Sequence, residues 1–374
     1  MKRNPFLISG YKSPILFCNR VLELNRIENA IENQRNITLI SSRRMGKTGL
    51  ILHYFNSISR DNDVIPVYFD IMGTTDLSEF IEAFSNALVQ KIAKSEPALK
   101  RFIKKLASLR PVLSFDSFTG EPKISMDIKN ENEALSSLEI IFRIIEEHKR
   151  FFIFAIDEFQ QISTYPQKNT EAVLRTFIQH VHNAAFIFSG SKKHMLSAMF
   201  SQPSRPFFNS TELMFLEAID HEAYFTFITD QFQRGGKTIQ EDALHAIAQY
   251  TQMHTFYVQF HCNRLYGSYK HVAEKEVDKI LHHILLENEP IYASYLNLLT
   301  TKQYKLLRAI ALEGYVKSPT ASAFLDKHSL GAASSVAQGV ESLIGKEFIS
   351  EESDGLFIQD KFLGQWIKMK TGAS

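Results

Sequence analysis

The run Phe151-Phe152-Ile153-Phe154-Ala155-Ile156 is apolar at every position and stops at two adjacent carboxylates, Asp157-Glu158. A strand that is apolar on both faces must be covered on both faces, which is the condition of a central strand in a parallel sheet. Segments 36–41, 64–71 and 185–189 read the same way. Helical stretches alternate with them, over 20–33, 47–58, 77–105, 132–148 and 170–183. This alternation predicts an α/β fold with a doubly wound parallel sheet. In such sheets ligands bind beyond the carboxyl ends of the strands, so the residues that follow each strand are the candidates for function.

The pattern is interrupted once. Segments 112–115 and 123–128 alternate around Thr119-Gly120-Glu121-Pro122, which predicts a hairpin inserted at about 111–128. After about Leu216 the strands stop. Helices are expected over 220–233, 240–251, 256–269 and 274–288, with Gly235-Gly236 as a turn and Pro290 starting a further change. Three short helices over 298–313, 318–328 and 332–346, then short strands at 348–350 and 356–358, predict a winged helix-turn-helix. The expected domains are therefore 1–217, a helical domain over 218–293, and a winged helix over 294–374.

Charge and composition narrow the classes further. Lys and Arg number 42 against 41 Asp and Glu, a net charge of +1. That excludes a polybasic nucleic-acid coat or an acidic tail and leaves only a local patch for DNA. Cys18 and Cys262 are too few for a disulfide framework or a zinc cluster, and are expected as thiols of a reducing compartment. No stretch approaches about 18 consecutive apolar residues, the length of a membrane span. The basic start Met1-Lys2-Arg3 is followed by no long apolar run. The expectation is a cytoplasmic protein that does not contact a membrane.

Two strand ends carry the chemistry. Ile40-Ser41-Ser42-Arg43-Arg44-Met45-Gly46-Lys47-Thr48-Gly49 joins a strand to a helix. A phosphate-binding loop is written G-x-x-x-x-G-K-[ST]. Ser41 stands at the first glycine, whereas Gly46-Lys47-Thr48 is intact at a helix N-terminus, where free N–H groups and the helix dipole favour phosphate. In this reading Gly46 lets the backbone approach the phosphates, Lys47 reaches the β and γ oxygens, and Thr48 ligates Mg²⁺. The alternative is a Gly-Lys-Thr that only caps a helix. Asp157 and Glu158 supply the second half: Asp157 beside Mg²⁺, Glu158 orienting or deprotonating the attacking water. Here the alternative is a solvated acidic turn. Found together, the two strand ends reinforce each other, and ATP with Mg²⁺ is the expected ligand. The segment at 185–189 ends in Ser189-Gly190-Ser191, where either serine could sense a γ-phosphate or simply terminate the strand.

At these residues the chain resembles the archaeal-type ATPase family of the STAND and AAA+-like P-loop ATPases. Phe17-Cys18-Asn19-Arg20-Val21-Leu22-Glu23-Leu24 is similar to the F-x-G-R-x-x-E-L box ahead of the P-loop. Ser42-Arg43-Arg44-Met45-Gly46-Lys47-Thr48 is similar to P-R-R-x-G-K-T/S. Ile358-Gln359-Asp360-Lys361-Phe362-Leu363-Gly364-Gln365-Trp366 resembles the D-P-x-F-x-x-W ending after the winged helix. Segment 64–71 lies between the two motif strands in the sequence, as in the ASCE division. The resemblance implies an ATPase core, a helical lid and a winged helix, with Ser42 to Gly49, Arg20 and Ser189 around nucleotide, Lys47, Asp157 and Glu158 catalytic, and Thr48 and Asp157 on Mg²⁺. Asn19 replaces the usual glycine of the box, Ser41 the first P-loop glycine and Ser42 the proline. The family's arginine after the sensor strand is absent, Arg205 sitting earlier, and Met253-His254-Thr255 replaces the lid's glycine-x-proline turn.

Further candidates have two readings each. Arg20 contacts nucleotide or ties the N-terminal segment to the core. Arg43 and Arg44 line the nucleotide entrance, meet a neighbour, or are solvated. Arg205 is a finger or a surface ion pair, and His254 a lid sensor or a buried structural residue. His261, His282 and His283 lack metal-ligand spacing and read as structural. The basic stretch 91–105 reads as a solvated helix face. From Thr301 onward nine Lys or Arg stand against eight Asp or Glu, too even a balance to favour phosphate binding. The expected function is an ATP-binding and ATP-hydrolysing molecular switch whose nucleotide state repositions the lid and winged helix to control a protein or DNA partner, with a protein partner or self-association preferred and DNA reached through the winged helix. The alternatives are an ATP-regulated DNA-binding protein of the origin-recognition or mobile-element type, and a scaffold that does not hydrolyse ATP.

Overall fold

The computed structural model describes residues 3–59, 61–92, 111–115, 122–126, 128–352 and 355–372, with the single positions 100, 104, 106, 117 and 120. Contacts divide the chain into two compact units: Ser9–Ala218, and Met1–Ile8 with Ile219–Ser374.

In the first unit, β1 (Ile37–Ile40), β2 (Val64–Asp70), β5 (Phe151–Asp157), β6 (Ala184–Gly190) and β7 (Glu212–Phe215) form one sheet in the order β2-β5-β6-β1-β7. Every pairing is parallel. The four anticipated strands are present, and β7 is a fifth that the periodicity did not announce. In space it is β6, not β2, that lies between the two motif strands. Helices α1 (Val21–Glu32), α2 (Lys47–Ser57), α3 (Leu77–Ile92), α4 (Glu131–Glu146), α5 (Thr170–His180) and α6 (Lys193–Ser201) accompany the sheet. The remainder of the helix expected to 105, and most of the basic stretch 91–105, lie outside the described residues. Asn130 starts α4 by accepting from the Glu133 N–H at 3.0 Å, as an N-cap should.

Side chains alternate across a strand, and β5 uses both faces. Phe152, Phe154 and Ile156 enter a cluster with Phe69, Phe84, Phe186 and Phe188. Ile153 and Ala155 enter the other cluster, with Leu39, Leu50, Ile51 and Ile187, beneath α1 and α2. The Phe84 and Phe154 rings meet edge to face at 5.1 Å, and Phe152 stacks on Phe154 at 5.4 Å. A run of phenylalanines thus fills one side of the sheet, and the same alternation directs Asp157 to the α2 side. The expected hairpin is present as a separate antiparallel pair, β3 (Val112–Phe115) and β4 (Pro122–Ser125).

The second unit carries α7 (His221–Arg234), α8 (Glu241–Thr251), α9 (Thr255–Ser268) and α10 (Glu274–Leu296). Phe6 is buried there among Phe227, Phe232 and Tyr266; the Asn4 side-chain amide donates to the Asn263 carbonyl, and the Asn263 amide to the Phe6 carbonyl. The expected change at Pro290 is not observed, since α10 runs through it to Leu296. A proline removes one helical hydrogen bond. Beyond it, Tyr292 packs on Trp366 at 5.7 Å and Tyr295 on Phe348 at 6.1 Å, which holds the last turns. Strands also do not stop before the wing: β8 (Thr238–Ile239) and β9 (His271–Val272) form a two-residue parallel ladder. Next come α11 (Thr301–Glu313), α12 (Ser322–His328) and α13 (Ala333–Gly345). The antiparallel pair β10 (Ile349–Glu352) and β11 (Gly355–Ile358) follows, with a bridge from Val316 to Leu356, and α14 (Lys361–Lys370) ends the unit. Thr300 and Gln303 cap α11 reciprocally. Among the described residues no helix is long and apolar enough to cross a membrane.

Candidate active site

The loop from Ser41 to Gly46 connects β1 to α2. Gly46 has φ +99°, a left-handed conformation that glycine adopts without a Cβ penalty, and it caps α2. Arg44 also has φ +62° and is exposed, while Arg43 is half-buried and Ser42 and Met45 are buried. Lys47 is 6% exposed, and its Nζ donates to Ser41 O at 3.2 Å, Ser41 Oγ at 3.0 Å and Ser42 O at 3.1 Å. The serine at the first glycine position therefore holds the lysine with its hydroxyl. Burial pushes the Lys47 ammonium down to about 8, against the pull of Asp157 and Glu158. Gly49 faces Phe17, where an added Cβ would make an ordinary 3.8 Å contact, so no steric demand fixes glycine there.

Asp157 lies at the end of β5, 4% exposed. Its Oδ2 accepts from Thr48 Oγ1 at 2.7 Å and from the Tyr68 hydroxyl at 2.9 Å. Its Oδ1 accepts from Ser189 Oγ at 2.6 Å and from the Glu158 N–H at 3.1 Å. Buried carboxylates need such donors to compensate for lost water. Glu158 leaves the strand with φ +56°, which turns its side chain away from the line of β5. Its Oε2 accepts from Gln160 Nε2 at 2.5 Å, Ser191 Oγ at 2.9 Å and Ser191 N at 3.3 Å. Among the described residues Oε1 takes no hydrogen bond, which leaves one carboxylate oxygen for a water. Gly190 lies between the two serines, and an added Cβ there would come within 1.9 Å of Gln160 Oε1.

The site thus brings together Ser41, Ser42, Lys47, Thr48, Asp157, Glu158, Ser189 and Ser191. The two serines left open by the sequence take different partners, Ser189 on Asp157 and Ser191 on Glu158. Tyr68, Gln160 and Gly190 were missed, as was Asp70, which pairs in register with Asp157 and whose carboxyl is raised, first by burial. Arg20 is held at the start of α1 by Glu23 at 2.7 Å and by the Glu217 carbonyl at 2.6 Å, a tie between the N-terminal segment and the residues after β7. Arg205 pairs with Glu171 within the chain. Burial lifts the Cys18 thiol to about 12, so it is inert as a nucleophile. In the second unit His254 is buried at the start of α9, and His261 bonds the Val277 carbonyl at 3.1 Å.

The donor set fits a hard cation. Thr48 gives its proton to Asp157 and keeps its oxygen lone pairs, beside a carboxylate, for an oxygen-seeking ion such as Mg²⁺. The N-terminal N–H groups of α2, with Lys47, provide the complement to phosphate.

A family described as a probable winged helix domain matches residues 290–369. No curated protein matches the sequence. Among solved structures, the Walker-type ATPase PABY2304 of Pyrococcus abyssi aligns with a TM-score of 0.64 at 16% identity, over 97% of this chain and 99% of that one. The Aeropyrum pernix ORC2 protein, solved in ADPNP–ADP complexes, gives 0.57 at 13% identity over 99% and 98%. The Aeropyrum pernix ORC1 protein, solved in complex with DNA, gives 0.52 at 8% identity over 99% and 97%. At such identities the likeness is one of fold. Together with the five-stranded parallel sheet and the loop before α2, these matches give the chain the fold of an archaeal-type P-loop ATPase with a C-terminal winged helix.

Proposed function

We propose that the chain binds ATP with Mg²⁺ and hydrolyses it, and that its nucleotide state is passed through residues 218–293, acting as a lid, to a winged helix at 294–374 that engages a protein partner. The observation that carries this reading is the convergence of Lys47, Thr48, Asp157 and Glu158, drawn from two strand ends, on one point of the sheet. Bound Mg²⁺ would neutralise charge on the phosphates as the terminal bond breaks. Lys47 and the first turn of α2 hold the phosphate oxygens. Thr48 Oγ1 and Asp157 hold the cation. Glu158, fixed through Oε2 by Gln160 and Ser191, presents Oε1 to the attacking water and takes its proton. Ser189 keeps Asp157 oriented.

Binding of a fluorescent ATP analogue and release of phosphate test the reading. Lys47→Ala should abolish binding, and Glu158→Gln should bind normally but turn over about 100-fold more slowly. A wild-type chain that binds without turning over ATP would favour the scaffold reading, and one that does not bind would end the proposal.

A protein partner is preferred to DNA on one observation. Helix α13, the third of the winged helix, contains no Lys or Arg over Ala333–Gly345, and the first wing strand carries Glu351 and Glu352. Duplex binding requires cations at the phosphates. The likeness to a protein solved with DNA supports the competing reading, in which the contact would fall to Lys302, Lys305 and Arg308 on α11.

A further inference from the structure

We propose that Tyr68 is a positioning residue for the cation side of this site, fixing the Asp157 carboxylate without cancelling its charge. The inference rests on the nucleotide reading above and deepens it. Strand β2 lies at the sheet edge beside β5, with Tyr68 in register with Ala155 and Asp70 with Asp157. The methyl of Ala155 leaves room for the tyrosine ring across β5, and the phenol reaches Asp157 Oδ2, two residues further along, at 2.9 Å. The ring packs against the apolar cluster under α2. A phenylalanine would pack there equally well, so the hydroxyl is the part that packing does not explain.

The division of labour on Asp157 gives the hydroxyl a purpose. Oδ1 is anchored by Ser189 and by the Glu158 N–H, while Oδ2 takes Thr48 and Tyr68. Thr48 is itself a candidate cation ligand, so its donation to Oδ2 must persist as the cation is engaged. Rotation of the carboxylate about its Cβ–Cγ bond would carry that oxygen off the cation. Ser189 and the Glu158 N–H oppose it at Oδ1, and Tyr68, from the neighbouring strand, is the donor on Oδ2 that is not itself a candidate cation ligand and so helps fix the plane. A lysine or arginine here would also fix it, but would oppose a divalent ion; a neutral phenol does not.

The test uses the full chain and Tyr68→Phe. Affinity for a fluorescent ATP analogue is measured in EDTA and at saturating Mg²⁺, and the ratio reports how strongly the cation tightens binding. In EDTA the two proteins should agree within about twofold, which also shows that the variant is folded. With Mg²⁺ the tightening should shrink about tenfold in the variant, the scale of one hydrogen bond to a charged group. Equal tightening in both proteins overturns the role of Tyr68 alone. An equal loss with and without Mg²⁺ also overturns it, since that is what a purely structural tyrosine would give. A wild-type chain whose binding does not respond to Mg²⁺ overturns both this inference and the reading beneath it.

Discussion

Lys47, the lysine proposed to hold phosphate, is buried, and the folded chain should bear a measurable penalty for it. Its ammonium is pushed down from the ordinary 10.5 to about 8, with burial as the largest cause. A lysine whose folded pKa lies below its unfolded one binds fewer protons when folded, so between the two values stability rises with pH. Below pH 8 the protonated group destabilises the folded state in full. At pH 7 the linkage gives about 3 kcal/mol, at pH 9 about 2 kcal/mol, and above pH 10.5 nothing. The direct comparison is wild type against Lys47→Met, which keeps the stem and removes the charge. The variant also removes the Lys47 donor from Ser41 O, Ser41 Oγ and Ser42 O, a cost of about 1–3 kcal/mol for a buried acceptor left unpaired, while Ser42 O keeps the Ser41 hydroxyl; that cost does not depend on pH. The pH dependence of the difference is therefore the clean quantity. Chemical denaturation followed by circular dichroism, without nucleotide, should show wild type gaining about 1 kcal/mol on the variant from pH 7 to pH 9. A difference that stays constant over that range would refute the burial penalty, and with it the argument that the loop accepts instability in exchange for a phosphate ligand.

Three further outcomes follow from particular contacts. Gly190→Ala must displace Gln160, whose Oε1 would sit 1.9 Å from the new Cβ; turnover should fall at least about tenfold while ATP affinity changes little, measured as kcat against Kd. Phe154→Ala opens a cavity between Phe84, Phe152 and Phe186, and should cost about 3–5 kcal/mol in denaturant unfolding. Retention on immobilised duplex DNA should be weak even at low salt, because α13 carries no cation; strong retention that falls steeply with salt would return DNA as the principal partner.

The fold was legible where burial is written along the chain. Strand β5 is apolar from Phe151 to Ile156 because both of its faces are covered, and it ends at Asp157, where the apolar run stops in the sequence. Strand β7 was not legible: only Met214 among its four residues is buried, and the strand exists because Glu212 to Phe215 pair with the edge of β1. The two-residue ladder of β8 and β9 is too short to carry any period. Pro290 misled for the opposite reason. Its local effect is to end a helix, and the contacts that override it, Tyr292 on Trp366 and Tyr295 on Phe348, come from residues far along the chain.

The site divides along the same line. Gly46, Lys47 and Thr48 are consecutive, as are Asp157 and Glu158, so the chemistry proposed for them is suggested by spacing alone. What holds them in place is not. Gln160 follows an acidic pair and reads as a polar turn residue until the turn at Glu158, with φ +56°, brings its amide back onto the carboxylate. Gly190 reads as a strand terminus until Gln160 fills the space its side chain would need. Tyr68 is the extreme case. A tyrosine in an apolar strand is, by pattern, a core residue, and nothing near it in the sequence predicts that it stands opposite Ala155. Its hydroxyl gains a partner 89 residues away only because β2 pairs with β5 in one register. A slip of one residue would turn it to the other face of the sheet. Residues that do chemistry are constrained by reaction type and so repeat as local motifs, whereas residues that position them are constrained by strand register, which pairwise contact sets and a single sequence does not display.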